Sequence, residues 1–202
     1  MSTKVTTTAA DAGANTSAGE LDSLLGELAS IARDARSEFG GLSPRQVNWK
    51  ADEKQWSVGQ CFAHLMKTNG AYFPKLEALA RGERRGTLWE RLSPLSGFLG
   101  RTVLKFVAPE SPRKAKARPG FTPSDSEVEA DVIEQFVGQQ TRLAELMRAN
   151  RGLDPERVIV TSPIAGFVTY SLLDAYRIIV AHERRHFAQA RRVTEAEGFP
   201  RS

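Results

Sequence analysis

Residues 171–196 read SLLDAYRIIVAHERRHFAQARRVTEA. Leu172, Ala175, Tyr176, Ile179, His182, His186, Ala190 and Val193 recur at three- and four-residue steps, which puts them on one stripe of an amphipathic α-helix. Arg177, Arg184, Arg185, Arg191 and Arg192 fall mostly off that stripe, as a solvated face would. Gly198 and Pro200 end the run. His182 and His186 stand four apart on the apolar stripe. That spacing stacks the two rings one turn apart and suits two positions of a single metal. Two imidazoles on a buried face without partners would be costly.

Working back from this helix, Val158-Ile159-Val160 is β-branched but too short and isolated for a sheet, and reads as an extended connector. A third long helix is expected from Ser124, where Ser124 and Glu127 form a capping box. Its buried face is Val128, Val132, Ile133, Phe136, Val137, Leu143, Leu146 and Met147, and Gly152 and Pro155 end it. Before it, Pro109 to Pro123 holds four prolines and the basic run Arg113, Lys114, Lys116 and Arg118, and reads as a long loop. Leu88 to Ala108 is apolar but interrupted by Pro94 and Gly97, with a short helix expected over Leu95 to Val107.

The second long helix opens at Ser57, which pairs with Gln60 in a capping box, with Trp56 at the staple position. Val58, Cys61, Phe62, Leu65, Tyr72, Leu76 and Leu79 form its stripe. Pro74 should kink or break it, and Gly82 stops it. Ser43-Pro44 starts a short helical turn toward Trp49. The first long helix runs from Glu20, with Leu21, Leu24, Leu25, Leu28, Ile31, Ala32, Ala35 and Phe39 buried and Gly40-Gly41 at its end. Residues 1–19 are Thr, Ala, Ser and Gly with few apolar or charged side chains, and are expected to form a disordered tail before a single domain over 20–202. Four long amphipathic helices with medium connections indicate an all-α protein, a four-helix bundle.

Composition agrees. The chain has 202 residues, 41% hydrophobic and 26% charged, enough for a packed core. One Cys excludes an internal disulfide and a Cys-based zinc cluster, and fits a reducing compartment. No apolar run is long enough to span a membrane, and the first residues lack the apolar core of a secretory signal, so the expected location is the cytoplasm. The net charge of +4 bears on solubility and encounter more than on fold.

The chain has three histidines. The third, His64, lies on the second helix beside the core positions Cys61 and Leu65. An inward-facing pair and one inward-facing histidine from another helix make a three-nitrogen site, as metal sites in helical bundles are built. The pair also reads His182-Glu183-Arg184-Arg185-His186, which satisfies the H-E-x-x-H pattern of zinc proteases. The extended protease pattern fails, because Gln189 and Arg192 occupy its Gly and His positions. Glu183 stays a candidate base for another reaction; equally, it reads as a surface acid pairing with neighbouring arginines. Gln60 and Gln189 lie one turn from His64 and His186. They read either as polar edge residues or as groups that orient a ligand. Cys61 reads as a buried small hydrophobe rather than a nucleophile.

The string Trp56-Ser57-Val58-Gly59-Gln60-Cys61-Phe62-Ala63-His64-Leu65 resembles the W-S-(I/V)-x-(E/Q)-x-(L/F)-x-H-(L/I) opening of the second helix in DinB-like (DinB/YfiT) proteins. The last helix, with His182 and His186, resembles that family's second signature, and the likeness runs from about Leu21 to Phe199. It implies a four-helix bundle and a divalent metal, zinc or nickel with iron as a further option, on His64, His182 and His186. It also implies, for some members, a thiol S-transferase or isomerase activity with a small thiol such as mycothiol or bacillithiol.

Three classes of function follow. One is a metal-dependent enzyme acting on a small-molecule substrate with a thiol co-substrate. Another is a non-catalytic metal-binding module in a stress response or bound to a partner. The third is nucleic-acid binding through Arg101, Lys105, Arg113, Lys114, Lys116 and Arg118. No base-reading motif or stacking array accompanies that basic cluster, which disfavours the third. The apolar Leu88 to Val107 segment is a candidate homodimer face.

Overall fold

The first helix, α1, spans Ala9–Phe39. Leu21, Leu24, Leu25, Leu28, Ile31, Ala35 and Phe39 of its expected apolar stripe are buried, and Ala32 is half-buried. It starts earlier than expected, however. Residues 9–19 continue the helix instead of forming a disordered tail, and the Ser17 hydroxyl donates to Glu156 Oε1 at 3.1 Å. The computed structural model describes residues 9–83, 86–87, 90, 93, 96–109, 120–123 and 127–201, with backbone alone for 9–16. The start of the expected tail lies outside these residues, as do Arg113, Lys114, Lys116 and Arg118 of the basic run.

Short α2 (Pro44–Asn48) is capped by Ser43, with Gln46 completing a capping box. α3 (Val58–Gly70) opens as expected: Ser57 Oγ accepts the Gln60 N–H at 3.1 Å, and Gln60 Oε1 accepts the Ser57 N–H at 3.2 Å. Pro74 breaks the run, so that a separate α4 (Phe73–Ala80) follows and ends before Gly82, which takes φ +83°. α5 spans Ser96–Val107. Gly100 lets α5 sit close to the next elements, since a Cβ there would lie 2.4 Å from Asp174 Oδ2.

The third long helix, α6, spans Val132–Ala149 rather than starting at Ser124. Ser124 lies outside the described residues, and Glu127 is not helical. The Asn48 side chain explains part of the delay. It donates to Val128 O at 2.9 Å and accepts the Val128 N–H at 2.8 Å, holding this stretch out of the helix.

The Val158–Val160 stretch is not an isolated connector. Ile159–Thr161 (β1) pairs antiparallel with Thr169–Ser171 (β2), with Val160 opposite Tyr170. β2 runs straight into α7 (Leu172–Thr194), whose N-cap Ser171 accepts the Asp174 N–H at 3.0 Å. The described chain is thus mostly helical, with one small two-stranded sheet.

α1 and α3 each pack against both α6 and α7. One phenylalanine from each helix meets at the centre: Phe39, Phe62, Phe136 and Phe187. Their rings touch edge to face, at 5.4 Å for Phe39–Phe62, 5.2 Å for Phe39–Phe187 and 5.0 Å for Phe62–Phe136. Such contacts add about 0.5–1.5 kcal/mol each beyond the area they bury. α1 and α7 run in parallel, joined by a ladder of ion pairs: Glu20–Arg177, Glu27–Arg184 and Glu38–Arg191. Three of the arginines expected on a solvated face, Arg177, Arg184 and Arg191, therefore serve as interhelical partners. No helix among the described residues is long and apolar enough to cross a membrane.

Candidate metal centre

Two elements bring the histidines together. The Ser57–Gln60 cap fixes where α3 begins, which sends His64 inward with Cys61, Phe62 and Leu65. On α7 the 3.6-residue period puts His182 and His186 on the face that meets α3. His64 and His186 are buried and His182 is partly so; one ligand atom from each lies within 4.8 Å of the others. Ring centroids are 5.1 Å apart for His64–His182, 4.7 Å for His64–His186 and 4.6 Å for His182–His186.

The tautomer of His64 follows from its partner. Its Nδ1 lies 2.7 Å from Phe121 O, a carbonyl that can only accept, so Nδ1 carries the proton. That leaves a lone pair on Nε2, which faces His182 Nε2 at 3.3 Å. Two nitrogens on one tetrahedral metal at about 2.0–2.1 Å stand ~3.3–3.4 Å apart.

Electrostatics favour the same reading. Burial pushes all three imidazoles below their ordinary pKa, His182 to about 3 and His186 to about 2, and the neighbouring imidazoles add to the effect at His182 and His186. All three are neutral at pH 7, as ligands must be. His186 Nδ1 is buried with no hydrogen-bond partner. Gln189 lies beside His186 and favours its charged form, but no bond to Nδ1 is made at hydrogen-bonding distance. Three neutral imidazoles that each bring a nitrogen to one place fit a divalent metal.

The family model of the DinB superfamily matches residues 27–190. The chain belongs to the DinB superfamily. No curated protein and no solved structure matches it. The likeness read in the Trp56–Leu65 string and in the last helix is therefore a family relationship, and the three histidines of this DinB-superfamily chain fit a metal-binding site.

The remaining candidate residues fall elsewhere. Glu183 is not a surface acid paired with arginines. It is 0% exposed, and its Oε1 accepts Asn69 Nδ2 at 2.6 Å and Gln140 Nε2 at 2.8 Å. Burial raises its pKa to about 7, against the opposing pull of the Gln140 and Asn69 amides. Among the described residues, no carboxylate joins the three histidines within ligand distance of one another. Gln60 spends its side-chain oxygen on the α3 cap. Cys61 is buried, which pushes its thiol up to about 12, as expected of a core residue and not a nucleophile.

Two neighbours of the triad have contacts with it that the sequence does not foretell. Trp56 stacks on His186 and leans against His64. Its place just before the Ser57 cap was the available signal. The Phe121 carbonyl left no signal at all, because a backbone acceptor is independent of residue type.

Proposed function

We propose that this DinB-superfamily protein is a divalent-metal-dependent enzyme of the four-helix-bundle type, which joins a small thiol to an electrophilic small molecule. The observation that carries the metal reading is the 3.3 Å approach of His64 Nε2 to His182 Nε2, with His186 completing the group. Zinc or nickel suits three imidazole ligands, and iron is a further option. The thiol comes from the family likeness.

His64, His182 and His186 would hold the metal, whose Lewis acidity would lower the pKa of a thiol or water bound there. The chain's own contribution is placement. His64 is held in one tautomer by Phe121 O, and Trp56 packs over His186 and His64. In the transfer, the thiol sulfur bonds to an electrophilic carbon, the thiol proton is released and the leaving group departs with its electron pair. No residue of the chain is assigned as the base.

A second reading is a non-catalytic metal-stabilised module. The enclosure of Glu183, the acid beside His182 in sequence, favours it. Reconstitution with zinc, nickel or iron, followed by a screen of mycothiol, bacillithiol and glutathione against electrophiles, separates the two. Metal-dependent thiol consumption supports the enzyme; about one metal per chain with no turnover supports the module. No uptake of any of the three metals overturns both.

The buried thiol fits a reducing cytoplasm. Phe98 and Phe106 on α5, 62% and 40% exposed, are the face for a homodimer, which sedimentation would reveal. Nucleic-acid binding stays disfavoured for lack of a base-reading element.

A further inference from the structure

We propose that Glu183, Asn69 and Gln140 form a buried polar layer that sets the register of α3 against α7 and so positions the three histidines. The inference rests on the metal reading above.

Each member comes from a different helix: Asn69 from α3, Gln140 from α6 and Glu183 from α7. All three are enclosed, at 1%, 2% and 0% exposure. Both amides donate to one oxygen, Glu183 Oε1, at 2.6 and 2.8 Å. A second tie runs alongside, from Gln139 Nε2 to Met66 O at 2.9 Å.

The layer touches the site through the covalent chain. Glu183 directly follows His182, so fixing its carboxylate fixes the rotation and height of the turn that carries the ligand. Asn69 lies five residues after His64 on α3, about 7.5 Å along the axis. A shift of either helix would move His64 relative to His182 and stretch the amide bonds at the same time.

The layer is a poor source of stability. Glu183 Oε2 and Gln140 Oε1 are both buried without a partner. A buried carboxylate with an unmet oxygen costs free energy, and apolar side chains at all three positions would pack there at no such cost. An apolar seam tolerates sliding, whereas two short hydrogen bonds to one atom do not. Registry is the best-attested use of such buried polar groups.

The test compares the full chain with Glu183→Leu and Glu183→Gln. Zn²⁺ affinity is measured by competition with a chromophoric chelator, the Co²⁺ visible spectrum reports coordination geometry, and circular dichroism reports folding. We expect Glu183→Leu to keep wild-type helicity but to melt below wild type, because it strands the Asn69 and Gln140 amides. Its Zn²⁺ affinity should fall about 10–100-fold and its Co²⁺ bands should shift. Glu183→Gln keeps an oxygen for both amides and should bind within about threefold of wild type. Wild-type affinity and spectrum in a folded Glu183→Leu would overturn the proposal. So would equal loss in Glu183→Gln, which would make charge and not placement the cause.

If Glu183→Leu does not fold, the Asn69→Leu, Gln140→Leu, Glu183→Leu triple variant takes its place under the same criteria. Failure of that variant to fold would also overturn the proposal, since the layer would then hold the fold itself. A wild-type chain that binds no Zn²⁺ or Co²⁺ defeats the metal reading, a result distinct from metal bound equally by all variants.

Discussion

Trp56 lies over His186 with ring planes 15° apart and centroids 5.4 Å apart, and its ring is 4.9 Å from that of His64. The indole is therefore a built-in reporter of the metal position. Addition of Ni²⁺ or Co²⁺, whose unfilled d shells quench nearby excited rings, should lower tryptophan fluorescence. In Trp56→Phe the quenching should be weaker. Equal quenching in both proteins would place the metal elsewhere.

Metal should also stabilise the fold. Zn²⁺ at a hundredfold over its dissociation constant contributes about 2.7 kcal/mol to a protein that binds it only when folded. For a chain of this size that is a rise in Tm of about 5–10 °C. Chelator should reverse it, and His182→Ala or His186→Ala should abolish the dependence on Zn²⁺. Calorimetry with and without chelator checks this; a Tm that ignores Zn²⁺ in the wild type counts against the site.

Glu90 gives a pH dependence remote from the histidines. Its carboxylate is buried and accepts the Thr87 N–H at 2.9 Å, Lys75 Nζ at 3.1 Å and the Thr161 N–H at 2.9 Å. Burial pushes its pKa up, but these donors outweigh it and hold the group below the ordinary glutamate value. The folded chain then binds fewer protons than the unfolded chain in acid. Its contribution is complete above the unfolded pKa and is lost as pH falls through the lower folded one. Glu90→Ala should cost about 3 kcal/mol at pH 7, by stranding the donors. The difference should shrink below about pH 4 in denaturant titrations.

Gly59 tests close packing beneath the site. A Cβ there would stand 2.8 Å from Val47 Cγ1 and 3.0 Å from Val128 Cβ. Alanine ordinarily favours a helix by about 1 kcal/mol over glycine. Here overpacking should win, and Gly59→Ala should lose about 1–3 kcal/mol in urea unfolding. A stabilised variant would show that the two valines can give way.

Cys61 should be inert. With its thiol pushed up to about 12 and its side chain enclosed, it should resist a disulfide reagent at pH 8 in the folded chain. In denaturant it should react fully. Fast labelling of the native protein would show that the core opens at α3.

The helical stripes were legible because each long helix keeps its apolar period. The Ser57–Gln60 and Ser43–Pro44 starts were legible because caps are local chemistry. The Ser124–Glu127 capping pattern misled, since Asn48, distant in sequence, claims both backbone groups of Val128. The hairpin was hidden because each strand has three residues and β2 merges with the start of α7. Glu183 reads from the sequence equally as a candidate base or as a surface acid, because its neighbours are arginines. Yet it falls at the Tyr176, Ile179, Phe187 and Ala190 spacing, while Asn69 and Gln140 interrupt the stripes of α3 and α6 in the same way. The ion-pair ladder was visible in part: Arg177, Arg184 and Arg191 repeat every seven residues, as do Glu20 and Glu27. Exposed pairs of this kind contribute little each.

The support of His64 by the Phe121 carbonyl has an evolutionary side. Any amino acid at position 121 offers the same oxygen, so point substitution there leaves the ligand's orientation untouched. What can displace that oxygen is the path of the chain. Insertions or deletions between α5 and α6 would disturb the site where residue exchanges would not. The length of that connection is thus under a constraint its individual residues escape, and diverging copies of this chain should vary in composition there sooner than in span.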